Sequence, residues 1–306
     1  MSPTPTTSPA PATVPSPGRA RLARLATPYL FLLPAAAVLL LIFLYPMVRA
    51  ALLSLQKYDQ LFGSYRFVGL ANYSKVLGDP AVWNALRVSA IWVVGSVAGQ
   101  FLIGLVVALL LHQSWPGNRL VRIVILVPWV MPGLSIGVIW RLIYNPQLGL
   151  VNDVFARVGL PPQTWLADPS LAIFAVILPN VWKAFPFVAV TILAGLAGIP
   201  DELYEAAKID GANAWQRFAD VTIPSLRGLI VIVTLLMAVW TFNYFDLPFV
   251  LTGGGPARST EVMPILVYRF AFEQFAYGLA SALAVLMTAI NLVFAVFYLR
   301  GLYAEA

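Results

Sequence analysis

The chain has no cysteine and a single histidine, His112. Without cysteine there are no disulfides, thiolate metal sites or cysteine nucleophiles. A single histidine also removes the basis for a histidine zinc site or a Ser-His-Asp triad. The dipeptide Gly-Lys does not occur, so the Walker A loop that holds ATP phosphates is missing. If this protein uses ATP, another chain must bind it.

Charged residues are scarce, at 10% of the chain, while 60% of its residues are hydrophobic and the mean hydropathy is +0.83. Soluble domains are nearer ~45–50% apolar and ~25% charged. The composition therefore predicts a membrane protein. The net charge of +6 would suggest nucleic acid for a soluble domain. In a membrane protein it reflects Lys and Arg on cytoplasmic loops, so no nucleic-acid partner is expected.

The N-terminal region, residues 1–27, is predicted to be a disordered tail with a basic flank. Its first 18 residues are rich in Pro, Thr, Ser and Ala and cannot bury a core. Arg19, Arg21 and Arg24 follow, and then a long apolar run begins. A signal peptide is the competing interpretation, but no convincing cleavage site follows Pro46. An uncleaved first span is therefore expected, within a membrane domain of residues 28–303.

Six segments have the ~20 mainly apolar residues that a spanning helix needs. Unbroken apolar runs favour helices over barrel strands, which alternate in short segments. The predicted fold class is an all-α membrane protein with six transmembrane helices. The predicted spans are Pro28–Val48, Arg87–Leu111, Val121–Tyr144, Leu171–Leu196, Gly228–Leu251 and Tyr277–Leu299.

The predicted orientation has both termini in the cytoplasm. With six spans, either choice leaves nine Lys and Arg residues on each side, so the count alone does not decide. The three arginines before the first span have no acidic neighbours, and the first helix usually dominates orientation. We therefore expect the N-terminus inside and the connection between spans four and five in the cytoplasm.

That connection contains YEAAKIDGANAWQRF, Tyr204 to Phe218, which predicts a helix, a glycine turn and a second helix. Leu203, Ala206, Ala207 and Asp210 share one helix face, where the alanines allow a partner to approach closely. Gly211 permits a left-handed turn that ends the helix.

A second short helix is expected from Ala212 to about Ala219, with Pro224 ending it before the next span. A DNA-binding helix-turn-helix needs a soluble core around its recognition helix, and both flanks here are membrane spans. A simple cytoplasmic connector remains open on these grounds alone.

The segments Glu205-Ala206-Ala207, Asp210-Gly211-Ala212 and Ile223-Pro224 resemble the EAA loop of binding-protein-dependent ABC importer permeases. Three further stretches look like the carbohydrate branch of that family, the maltose-type permeases. They are FVGLANYSKVL (67–77), LAGLAGIPDELYEAAKIDGA (193–212) and VLTGGGPARST (250–260). The resemblance covers about residues 28 to 300.

The resemblance implies a type I ABC importer fold in a bacterial cell membrane, with residues 199–226 as a cytoplasmic coupling loop. In the family this loop seats a helix in a groove of the ATP-hydrolysing subunit. The family's coupling positions carry over to Glu205, Ala206, Ala207, Asp210 and Gly211.

The implied partners are an ATP-binding cassette ATPase dimer, a second homologous permease chain, an extracytoplasmic solute-binding protein and a sugar or polyol substrate. ATP and Mg would be bound by the ATPase, so no cofactor and no covalent chemistry are expected on this chain.

Polar residues within the predicted spans are candidates for the substrate path, because ionisable groups there are costly. Span four carries Asn180 and Lys183 one turn apart. Span five carries Asn243 and Asp246, predicted to share one helix face. The resemblance adds further sugar-contact candidates: Trp240, Thr241 and Tyr244. In an alternative interpretation, Lys183 and Asp246 form an ion pair that only stabilises the bundle.

Two other functions remain open. An ABC permease could carry another small solute, since Asp246 would suit a cationic polyamine and Lys183 an anionic glycerol phosphate. A secondary transporter would need ion-coupling residues and inverted repeats, neither of which is evident. It would also leave the segment from Tyr204 to Phe218 unexplained.

Overall fold

The structure, a computed structural model, describes residues 31–59 and 63–303. The predicted tail (residues 1–27) and the first residues of the first predicted span lie outside this part of the chain. The chain divides into two compact units, one ending at Leu52 and the other beginning at Leu53.

Helix α1 (Phe31–Ser54) makes up the described part of the first unit and reaches into the second. Its 24 residues would extend about 36 Å, enough to cross a bilayer core of about 30 Å. A π-helical turn interrupts it at Leu40–Leu44. Its side chains are mainly apolar, as expected of a helix that spans a membrane.

The second unit consists of helices and one small hairpin. The hairpin pairs β1 (Gln56–Asp59) with β2 (Ser64–Phe67) in antiparallel register, with Tyr58 opposite Tyr65. The helices are α2 (Ala71–Gly78), α3 (Pro80–His112), α4 (Asn118–Val124), α5 (Val127–Val130), α6 (Gly133–Ile143), α7 (Leu150–Arg157), α8 (Ala172–Leu196), α9 (Asp201–Ile209), α10 (Ala214–Phe242), α11 (Asp246–Thr252), α12 (Met263–Tyr268) and α13 (Tyr277–Tyr303).

Helices α3 and α8 pack closely along a line of glycines. A Cβ placed on Gly95 would lie 2.8 Å from Ile177, and one on Gly99 would lie 2.7 Å from Val181. The two glycines form a Gly-x-x-x-Gly pair, which lets helix backbones approach in a membrane where no hydrophobic effect drives them together. The contact makes these two helices the centre of the second unit.

The prediction of six spans is confirmed for the fold class, with two differences in detail. Five helices are long and apolar enough to cross a membrane within the described residues, or six if one bent pair is a single span. That pair lies in the predicted third span, where Asn118–Val130 meets Gly133–Ile143 at an angle of 96°. Proline 132 separates the two halves and cannot continue the first.

The predicted fifth span is wrong at both ends. Its helix, α10, begins at Ala214 and runs through Pro224, so Pro224 does not end the second helix of the coupling segment. A π-helical turn at Phe218–Thr222 directly before the proline accommodates it within the helix. At the other end α10 stops at Phe242, and residues from Asp246 form the separate helix α11.

The connection after α11 is organised by a buried carboxylate that the sequence did not reveal. Glu261 is fully buried and forms ion pairs with Arg258, at 2.7 Å, and with Arg269. Arg269 also donates to the carbonyl oxygen of Gly253 at 2.9 Å. A buried charge needs several such partners, and these fix the Gly-rich turn relative to α12.

Candidate functional site

Helix α9 carries the predicted coupling residues and presents them to solvent. Glu205, Ala206 and Asp210 are exposed and Ala207 is half-buried. Beside them Ile209 exposes 86% of its surface. Exposed apolar side chains beside polar ones make this helix a candidate docking surface.

The turn after α9 has the geometry predicted from its glycine. Gly211 has a φ of +80°, in the left-handed region that side chains with a Cβ avoid. The backbone N–H of Ala212 donates to the carbonyl of Ala207 at 2.9 Å, and that of Gly211 to Lys208 at 3.0 Å. This Schellman arrangement satisfies the last carbonyls of the helix.

The segment after the turn is held to the bundle at defined points. Asn213 caps α10 in a reciprocal capping box with Gln216. The hydroxyl of Tyr204 lies 3.0 Å from that of Thr222, which joins α9 to α10. Trp215 extends from this frame with 73% of its surface exposed. The loop is therefore held by hydrogen bonds on the side that faces the bundle, while its outer face is exposed.

The candidate substrate residues lie deeper in the bundle, around a cavity of 160 Å³ between α3, α5, α8 and α10. Five of the seven predicted residues line it: Asn180, Lys183, Trp240, Thr241 and Tyr244. The other lining residues are Gln100, Trp129, Ala184 and Met237.

Three buried polar groups in the cavity wall have no hydrogen-bond partner among the described residues. They are the side-chain oxygen of Gln100, the side-chain nitrogen of Asn180 and the hydroxyl of Tyr244. A buried polar group without a partner is costly, and such groups persist where water or a ligand completes them. Together they offer donors and acceptors to a hydroxylated molecule.

Aromatic rings form the apolar part of the same wall. Phe187 on α8 packs between Trp129, at a centroid distance of 5.5 Å, and Trp240, at 5.3 Å. Trp182, also on α8, packs instead against Trp140 at 6.0 Å and is not among the residues that line the cavity. The wall thus combines flat aromatic surface with amide and hydroxyl groups.

Lys183 stabilises the break in the third span. Its ammonium donates to the carbonyl oxygen of Met131 at 2.7 Å and is 3.4 Å from that of Trp129. These carbonyls lie at the bend, where Pro132 removes a helical donor. No ion pair between Lys183 and Asp246 is present within the described residues, where the lysine donates to the backbone, but the Asp246 carboxylate still acts electrostatically on it.

Asn243 and Asp246 do not line the cavity. The prediction that they share a helix face is wrong, because α10 ends at Phe242 and Asp246 begins α11. Asn243 forms a reciprocal amide pair with Asn291 of α13, at 3.1 and 3.2 Å. Asp246 is exposed.

Like the bend in the third span, the C-terminal end of α10 is stabilised by a side chain from another helix. The indole N–H of Trp92, a fully buried residue of α3, donates to the carbonyl oxygen of Thr241 at 2.9 Å. Tyr244 follows the helix end and packs its hydroxyl end against Gly133, the first residue of α6. The two interruptions therefore meet beside the cavity.

Sequence reasoning missed two cavity residues. Neither Gln100 nor Trp129 was among the predicted substrate-path residues. Trp129 lies in VPWVMP, where two prolines bracket a short apolar stretch. Prolines inside a span often mark a broken helix that lines a binding site, so this signal was present in the sequence.

A bundle of apolar helices, interrupted at two places beside a small cavity and bearing an exposed polar helix at one end, is typical of a polytopic membrane transport protein. Residues 100–300 match the family described as binding-protein-dependent transport system inner membrane component. The chain belongs to this family, which confirms the resemblance identified in its sequence.

Curated relatives match over most of their length. The trehalose/maltose transport system permease protein MalF of Thermococcus litoralis is 34% identical over 272 residues, covering 89% of this chain and 92% of that protein. The diacetylchitobiose uptake system permease protein DasB of Streptomyces coelicolor is 35% identical over 292 residues, covering 92% and 89%. The sulfoquinovosyl glycerol transport system permease protein SmoG of Agrobacterium fabrum is 34% identical, covering 89% and 88%.

Solved structures share the fold. A chain of a bacterial ABC transporter involved in the import of the acidic polysaccharide alginate superposes with a TM-score of 0.80 at 19% identity, covering 92% of this chain and 97% of that one. A chain of the MetNI methionine ABC transporter in an inward-facing conformation has a TM-score of 0.52 at 19% identity, covering 74% and 99%. These similarities confirm the type I importer fold.

Proposed function

We propose that this chain forms half of the translocation pathway for a sugar or related polyol, driven by ATP hydrolysis on a partner subunit. The observation that carries the proposal is the cavity wall, where unpartnered amide and hydroxyl groups lie beside an aromatic row. Relatives at 34–35% identity are named as permeases for sugars or their derivatives, which supports the same cargo class.

The cavity is smaller than a complete ligand site. Enclosed ligand sites are usually about 300–1,000 Å³, and this cavity measures 160 Å³. A second permease chain facing it would supply the remaining wall. Amide groups donate and accept hydrogen bonds with hydroxyls, and aromatic faces cover the apolar faces of sugar rings.

A neutral cargo fits the wall better than a charged one. The ammonium of Lys183 is directed to two backbone carbonyls, so it is a poor counter-ion for glycerol phosphate. Asp246 is not among the residues that line the cavity, although its charge acts on two that are, Lys183 and Tyr244. The groups that remain open are uncharged.

The exposed surface of α9 and its turn is proposed to dock on the ATPase dimer, with Glu205 and Gly211 as the central residues. ATP and Mg would be bound there, and this chain would need no cofactor of its own. An extracytoplasmic binding protein would deliver cargo to the opposite side. Both termini and α9 are assigned to the cytoplasm of a bacterial cell. A secondary transporter would have no use for this docking surface.

The cargo proposal is tested by uptake of radiolabelled sugars into proteoliposomes containing the complete importer with its binding protein. Gln100→Leu removes an open hydrogen-bond group, and we expect the KM for transport to rise about two- to tenfold. Trp240→Ala removes the aromatic face and is expected to lower uptake further. Trp83→Ala, an exposed tryptophan outside the cavity, is the control. Uptake by both cavity variants at the level of the control would refute the proposed path.

A further inference from the structure

An open cavity of 740 Å³ lies at the end of α3, far along the chain from the coupling segment and separate from the substrate cavity. It is formed where α3 ends at His112 and α4 begins at Asn118. If the bent pair is one span, this connection lies on the same side of the membrane as α9. The lining residues are His112, Gln113, Ser114, Trp115, Pro116, Asn118, Arg119 and Arg122.

The charged side chains that line this cavity, Arg119 and Arg122, are both basic. Arg119 and Arg122 lie three residues apart on α4, which places both side chains on one face. The sequence has no acidic residue between Asp79 and Asp153, so neither arginine has a carboxylate nearby in the chain. Within residues 31–59 and 63–303, Arg119 has no hydrogen-bond or ion-pair partner.

The rest of the cavity is rigid. Asn118 is buried and donates to the carbonyl oxygens of Leu111, at 2.8 Å, and Gln113, at 2.6 Å. Arg122 donates to the side chain of Asn118 and to the carbonyl of Leu111, both at 2.8 Å. These bonds satisfy the end of α3 and fix the cavity wall. Arg119 is left as the cation free to bind a ligand.

Exposed apolar side chains lie next to these arginines on α4. Leu120 and Ile123, on the same short helix as the arginines, expose 65% and 61% of their surfaces. Trp115 is exposed in the connection and donates its indole N–H to the carbonyl of Leu110 at 3.1 Å. Tryptophan at a helix end beside exposed aliphatic residues is typical of the membrane–water interface.

We propose that this cavity binds the phosphate of an anionic phospholipid headgroup, with Arg119 as the principal contact and the acyl chains along Leu120 and Ile123. Basic pockets between membrane helices on one face of a bilayer suit such headgroups. A free phosphate ion would satisfy the arginines and leave these apolar side chains without a partner. An acidic protein surface would likewise leave the aliphatic side chains uncovered.

Native mass spectrometry of the detergent-purified full chain tests this site. The chain is mixed with phosphatidylglycerol or with phosphatidylcholine of the same acyl chains, and bound lipid is counted. We expect tighter retention of phosphatidylglycerol, and a roughly fivefold loss of that preference in Arg119→Gln. Arg119→Lys should keep most of it. Arg157→Gln, at an exposed arginine paired with Asp153, is the matched control.

Arg119 is exposed and bonds to no described residue, so its substitution is not expected to affect folding. An unchanged preference in Arg119→Gln, or an equal loss in Arg157→Gln, would overturn the proposal. Displacement of the lipid by millimolar inorganic phosphate alone would show a free-anion site instead. Loss of a co-purifying acidic protein in Arg119→Gln, with lipid preference intact, would assign the cavity to that protein and also refute the lipid site.

Discussion

Replacing Lys183 with methionine tests how the bend in the third span is stabilised. The substitution keeps an unbranched side chain of similar length and removes the ammonium. Two backbone carbonyls at the bend then lose their donor, the one of Met131 at 2.7 Å and the one of Trp129 at 3.4 Å. The change therefore isolates the hydrogen bonds while leaving most of the packing intact.

The expected loss follows from the geometry of these bonds. A hydrogen bond from a charged donor contributes about 1.5–3 kcal/mol, and only the bond to Met131 is short. Lys183 is half-buried, so water can replace part of what is lost. We expect the free energy of unfolding to fall by about 1.5–2 kcal/mol.

Titration of the detergent-solubilised chain with sodium dodecyl sulfate, followed by tryptophan fluorescence, measures this difference. Lys75→Met removes an exposed lysine outside the spans and serves as the control. A loss in Lys183→Met no larger than in the control would show that the bend does not depend on the ammonium. The role assigned to Lys183 would then be wrong.

Three further substitutions test the packing, the helix cap and the coupling turn. Gly104→Val would bring a Cβ to within 2.7 Å of Val188, so we expect a loss of about 1–3 kcal/mol in unfolding free energy. The control is Gly228→Val, whose side chain would be directed into open space. Equal losses in the two variants would contradict close packing of α3 on α8. Asn118→Ala removes two hydrogen bonds to the end of α3 and should lower the free energy of unfolding by about 1–3 kcal/mol in the same titration. No loss would mean that the carbonyl groups at this helix end have other hydrogen-bond partners. Gly211→Val places a branched side chain at a φ of +80°, and we expect substrate-stimulated ATP hydrolysis by the assembled importer to fall well below that of Gly228→Val. Equal activity would exclude a coupling role for the turn.

Local signals in the sequence predicted the coupling segment well. Gly211 predicts a left-handed turn from its own chemistry, and the helix before it needs no distant contact to form. The family and fold class were predicted for a similar reason, since apolar runs and a short motif are visible without a structure. The roles of Glu205 and Gly211 in coupling stay predictions.

Distant contacts decide the features that were predicted wrongly. The prolines of the third span mark where it is interrupted, but the bend is stabilised by Lys183, 52 residues from Met131. The end of α10 depends on Trp92, 149 residues from Thr241. A hydropathy average over a sequence window carries no information about either of these two long-range contacts. The error at α10 then misplaced Asn243 and Asp246 relative to the cavity.

The two interrupted spans have a mechanical consequence. Helix α6 packs against α11 so closely that a Cβ on Gly137 would lie 2.6 Å from Val250. Each helix of this pair joins its parent span through a short non-helical joint, and Gly133 and Tyr244 bring the joints together. Because the two helices are in contact and their joints are adjacent, neither helix can change its angle to its own span without displacing the other.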